Sequence, residues 1–148
     1  MAYLQYYPPV SFYFTVIFEG IPGTADCRFS EVSGLKVDLQ TAPYQEGGEN
    51  RFERQLPTSA RYANLVLKRG VISDSKVSDW FQKAIEQFII TPKNLLVMLM
   101  DKDRNPVASW SITDAYPIAW EINTFNSTGN DLAIETLTLK YSYFNTMF

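Results

Sequence analysis

A two-residue alternation of apolar and polar side chains recurs along most of this chain, and it restricts the fold to one built mainly from strands. In SFYFTVIFE, Phe12, Phe14, Val16 and Phe18 fall on one face, and Ser11, Tyr13, Thr15 and Ile17 on the other. GIPG (Gly20 to Gly23) breaks that strand. The pattern resumes in DCRFSEVSGLKVDLQ, where Leu35, Val37 and Leu39 oppose Lys36, Asp38 and Gln40. ANLVLKRG (Ala63 to Gly70) reads as a strand that ends at a glycine. NLLVMLM (Asn94 to Met100) is apolar on both faces and reads as a covered strand. PVASWSITDA places Ala108, Trp110 and Ile112 together, and PIAWEIN reads as a separate short strand with Ile118, Trp120 and Ile122 inward. In LAIETLTLKYSYF the apolar side changes near Glu135, from Leu132 and Ile134 to Leu137, Leu139, Tyr141 and Tyr143. A β-bulge produces such a change, and so does burial of both faces, one of them against another subunit.

One segment has the helical period instead. In SDSKVSDWFQKAIEQFII, Val77, Trp80, Phe81, Ala84, Ile85 and Phe88 form one apolar stripe. Ser73, Asp74 or Ser75 is placed to cap its start, and Pro92 to end it or follow closely. The linkers are too short to divide the chain, so residues 1–148 are expected to form one domain, mainly β, with one helix. The N-terminal MAYLQYYPPVSFYF has neither a basic region nor a continuous apolar run, so no cleaved secretory signal and no bilayer-spanning anchor is expected.

Two strand-like stretches are joined by PYQEGGENRFERQLP, which is too charged to be core. Arg51, Glu53 and Gln55 alternate there with Phe52, Arg54 and Leu56. Gly47-Gly48 is no phosphate loop, since no Gly-Lys-Ser/Thr follows and no helix begins after it. On local grounds it is a hairpin tip.

Little in the chain supports bond chemistry. There is no histidine, which excludes Ser-His-Asp and Cys-His catalysis and every metal site that needs imidazole. Cys27 is the only cysteine, so neither a disulfide framework nor a thiolate cluster is available within the chain. Asp101, Asp103 and Asn105 imitate a calcium loop, but Pro106 stands where glycine is required and Ile112 where a glutamate is required, so DKDRN reads as a turn. No spacing singles out a catalytic carboxylate pair. Glu135 is the one unusual acid, and it reads as a structural carboxylate paired with Arg or Lys. Asn126 opens an NST sequon that is expected to be accidental. No basic run exists to suggest nucleic-acid recognition. No cofactor and no metal is expected. Cys27, Trp80, Trp110 and Trp120 suit either core or interface packing. The aromatic share of 15% leaves some rings for a monomer's surface, where they would mark contact with other proteins, although composition alone slightly favours an ordinary aromatic-rich sandwich core.

Several short motifs occur in one order: FSEVSGL (Phe29 to Leu35), EGGEN (Glu46 to Asn50), Leu56-Pro57, LKRG (Leu67 to Gly70), a helix with Trp80, PIAW (Pro117 to Trp120) and IETLTLKY (Ile134 to Tyr141). With them the chain resembles the tail tube proteins of contractile phages and, within that group, the inner tube proteins of phage-like contractile injection systems. The resemblance implies a two-sheet β-sandwich or split barrel with one flanking helix. It also implies hexameric rings that stack into a hollow tube, strands from all subunits joining one inner β-barrel. The implied partners are sister copies, a surrounding sheath protein, the baseplate or spike hub, a terminator, and lumen cargo or a tape measure. The implied place is a virion tail or a released injection particle, made and assembled in the cytoplasm.

Carried over residue by residue, Glu46, Gly47, Gly48, Leu56 and Pro57 are expected in an arm between subunits. Lys36, Asp38, Gln40, Arg51, Glu53 and Gln55 are expected to face the lumen. Lys68, Arg69 and Gly70 are expected either at a ring–ring contact, salt-bridging an acidic partner, or in a solvated turn. Competing readings are a tube initiator or baseplate paralogue, and a monomeric small-ligand-binding β-barrel.

Overall fold

The computed structural model describes residues 12–22, 27–44, 47–48, 51–127 and 130–147. The expectations for Ser11, Gly23, Glu46 and the centre of the polar turn at Thr128 and Gly129 lie outside the described residues.

Two layers of antiparallel strands share one long strand, β8 (Pro106–Ser127), which runs from the first layer into the second. The first half of β8 pairs with β7 (Lys93–Met100) on one edge and with β10 (Tyr143–Thr146) on the other. Beyond β7 lie β1 (Tyr13–Phe18) and then β2 (Arg28–Phe29). From Tyr116 onward β8 pairs with β9 (Asn130–Lys140) instead. β9 pairs in turn with β6 (Leu65–Gly70), and β6 with β3 (Glu31–Ser33). The fold is thus the expected two-layer β structure, with one helix among the described residues, and over those residues the sheets do not close into a barrel within one chain.

The core lies between the layers. Val16, Phe18, Phe29, Leu95, Val97 and Ile112 come from the first, and Leu65, Leu67, Leu137 and Leu139 from the second. Helix α1 (Lys76–Glu86) closes one side with Val77, Trp80, Phe81 and Ala84, all buried. Ser75 caps it, its Oγ accepting from the Ser78 N–H at 3.0 Å.

Four expectations are corrected. PVASWSITDA and PIAWEIN are one strand, because a long strand can serve different partners along its length. The ladder slips between Pro117 and Ala119, and Ile118 and Ile122 are exposed; only Trp120 of that trio is half-buried. The described part of DCRFSEVSGLKVDLQ, residues 27–40, is three strands rather than one, interrupted at Ser30 and at Gly34. The helix ends at Glu86, before Phe88 and well before Pro92: the Gln87 and Ile89 N–H groups both donate to the Lys83 carbonyl, and Phe88 takes a left-handed φ of 56° that turns it out of the stripe.

Candidate assembly surfaces

Among the described residues, β4 (Val37–Tyr44) and β5 (Arg54–Tyr62) pair only with each other, as a two-stranded ribbon outside the sandwich. They continue β3 and β6. Four positions separate Ser33 from Val37 and four separate Val66 from Tyr62, so the register passes through the join with no insertion. Gly34 makes the elbow. Its φ is 91°, and a Cβ there would lie 1.8 Å from the Asn64 carbonyl oxygen, so only glycine fits. The elbow also reverses the facing of the strand: Val32 and Leu35, three residues apart, both pack on the core. Tyr62 fixes the ribbon's set at its base, its ring 5.9 Å from Tyr141 and 5.2 Å from Phe144. Burial, then the nearby Tyr62, push the Tyr141 hydroxyl up to about 12.

Opposed residues share a face, so the register assigns the ribbon's two sides. Val37, Leu39, Ala60 and Tyr62 share the side that continues the core. Asp38, Gln40, Ser59 and Arg61 share the other, and Lys36 pairs with Asp38 at 3.5 Å. Beyond Gln40 the ladder slips, with Thr58 as the extra residue on β5 and its Oγ1 donating to the Gln40 carbonyl. Leu56 therefore sits opposite Ala42 on the polar side, and Gln55 opposite Pro43 on the apolar side, where it accepts from Thr41 Oγ1 at 3.3 Å. Val37 and Leu39 are 46% and 66% exposed despite facing coreward, because among the described residues no core extends beneath them. A two-stranded ribbon without cover is marginal in water. Gly47 and Gly48 form a turn between its strands, with open space around both.

A second surface is the outer face of the layer containing β3, β6, β9 and the second half of β8. Register aligns Glu31, Lys68, Thr136 and Glu121 in one row across all four strands. The inward row behind it is Val32, Leu67, Leu137 and Trp120. The outer face is thus polar, with both signs of charge, and Lys68 lies 4.0 Å from Glu31. The ribbon's Asp38–Arg61 side continues it past the elbow. Neither the row nor its continuity was legible in the sequence, because both depend on which strands are neighbours.

Behind that face sits a buried polar cluster. Arg69 Nε donates to Glu135 Oε2 at 2.9 Å, with the side chains 3% and 2% exposed. Ser78 Oγ and Trp120 Nε1 both donate to Glu135 Oε1, at 2.8 and 2.7 Å. Arg69 Nη2 donates to the cap Ser75 Oγ at 2.7 Å, and its guanidinium stacks 4.9 Å from the Phe29 ring centre. The cluster bolts the start of α1 to the second layer. It also answers the apparent change of apolar side in β9: Glu135 keeps the inward parity of Leu137 and Leu139 and is tolerated there because all its partners are supplied.

The expected site residues are therefore divided. Lys36, Asp38 and Gln40 lie together, whereas Gln55 is on the ribbon's other side and Arg51 and Glu53 precede β5 rather than belonging to it. Lys68, Arg69 and Gly70 end a strand instead of forming a turn, and Arg69 is committed to Glu135 inside the chain. DKDRN is a turn, with Asp101 Oδ1 accepting from the Asp103 and Asn105 N–H groups, each at 2.9 Å.

The model of a family described as T4-like virus tail tube protein gp19 matches residues 10–145. A search of curated protein sequences finds no match. Among solved structures, a chain of the anti-feeding prophage baseplate is 29% identical, with a TM-score of 0.77 and 97% of each chain covered. A chain of an extracellular contractile injection system, the PVC sheath–tube complex in its extended state, is 25% identical, with a TM-score of 0.72, covering 97% of this chain and 93% of that one. Hcp1 from Flavobacterium johnsoniae, at 15% identity and a TM-score of 0.54, shares the fold over 90% of this chain and 94% of its own.

Proposed function

The chain belongs to the T4-like virus tail tube protein gp19 family, and on that premise we propose that it is the inner-tube subunit of a contractile tail or injection machine. Six copies close a ring, rings stack, and the bore carries cargo when the surrounding sheath shortens. Baseplate and terminator components bound the tube at its ends. The role is mechanical: many weak, repeated contacts between identical copies give a stiff hollow filament.

One observation carries this reading: the ribbon's apolar side, with Val37 and Leu39, faces coreward and is exposed, with no core beneath it among the described residues. A sister copy's sandwich supplies the missing cover. The polar sides of ribbon and second layer then face the bore, where Lys36, Asp38, Gln40, Arg61, Glu31, Lys68 and Glu121 keep it wet and give cargo no single charge to adhere to. Gly47, Gly48 and Pro57 remain in the arm between copies, and Lys68 and Gly70 near its axial neighbours.

The test is the mass of the purified chain by light scattering, with negative-stain imaging. Hexamer rings or tubes with a stain-filled centre are expected. A monomer that takes up a lipophilic dye would replace this account with the ligand-binding barrel. The resemblance to a baseplate chain favours a second reading, an end-of-tube paralogue. That protein would give single rings that never elongate.

A further inference from the structure

We propose that the loop following α1, Phe88 to Ile90, is the surface on which the surrounding sheath docks; this rests on the tube reading above. Three consecutive apolar side chains stand in water there: Phe88 is 82% exposed, Ile89 51% and Ile90 42%, with Ile85 of the last helical turn at 44%. Phe88 also occupies the left-handed position that closes a helix, normally a place for glycine. A bulky aromatic at that φ costs stability, and with its ring in water it recovers little of that cost within the chain. Strain combined with exposure points to a requirement outside the monomer.

Its place in the fold selects the partner. The helix start is bolted through Ser75 and Ser78 to Arg69 and Glu135, which lie on the inward side of the second layer. The charged row Glu31, Lys68, Glu121 lies on that layer's other side. With that row on the bore, α1 starts from the side of the second layer turned away from the bore, the side of whatever encloses the tube. A similar chain is part of a sheath–tube complex. The adjoining cleft, of about 340 Å³, is lined among the described residues by Lys83 and Lys93 as well as Asp79. The fitting partner segment thus offers apolar side chains to Phe88 and Ile89, with carboxylates alongside.

The experiment uses assembled tubes and the particle's own sheath protein, scored by co-sedimentation and imaging. Phe88→Gly relieves the strained backbone, so the melting temperature should rise by about 2–4 °C. Its tubes should form normally and retain roughly tenfold less sheath, a loss in line with one buried aromatic anchor. Phe88→Leu keeps an apolar anchor and should retain most of it. Normal sheath on the Phe88→Gly tubes would overturn the proposal. Failure of that variant to form tubes at all would overturn it too, by making the loop a contact between copies. If the unaltered chain forms no tubes, the underlying reading falls first and takes this one with it.

Discussion

At the scale of single residues, the most consequential pair is Arg69 and Glu135. Alone in an apolar strand, Glu135 looks misplaced; with Arg69, Ser78 and Trp120 supplied, it fixes the helix to the sheet. Arg69→Met leaves a buried, unpaired carboxylate and should cost about 3–5 kcal/mol in a denaturant titration. Replacing both by apolar residues should cost much less, because no charge is then stranded. Tyr141 gives a pH signature. Its folded pKa is raised from the usual 10.0 to about 12, so the neutral ring is favoured in the folded chain. The stability this confers is complete below pH 10 and is lost as pH rises through about 12. A tyrosinate absorbance titration should show one late-titrating ring, absent in Tyr141→Phe. The pairing of Glu135 with a cation was legible in the sequence; the identity of the cation was not, since sixty-six positions separate the partners.

At the scale of elements, the elbow at Gly34 decides where the ribbon points. Gly34→Ala drives a methyl into the Asn64 backbone and strains a left-handed φ, so it should abolish assembly even if the sandwich folds. Circular dichroism and particle imaging together check this. Deleting Glu46 to Arg51 should leave the sandwich's melting temperature within a few degrees of the parent and stop polymerisation. Local periodicity made most strands and the helix readable in the amino-acid order, and narrowed its cap to Ser73, Asp74 or Ser75, because those depend on neighbours in sequence. The ribbon's facing was only half readable. The alternation of Lys36, Asp38 and Gln40 holds, but the extra residue Thr58 exchanges the sides beyond it and moves Gln55 away from them. Bulges depend on the partner strand, and a single strand's pattern does not contain the partner. The helix end was misplaced for a similar reason: nothing in the stripe marks Phe88 as left-handed.

At the scale of the molecule, the chain has a core sufficient for a sandwich and an arm that the sandwich does not cover. In a tube, the arm's apolar side is an interface and its polar side a channel wall. Leu39→Ser should therefore leave the sandwich intact and reduce ring formation at least tenfold, read as the protein concentration needed for half-assembly. Hydrogen exchange of the ribbon amides, residues 37–44 and 54–62, separates a covered arm from a bare one. In assembled particles they should exchange orders of magnitude more slowly than in the Leu39→Ser monomer, while the core strands β7 and β9 exchange alike in both. Equally fast ribbon exchange in particle and monomer would mean that no sister copy covers the arm.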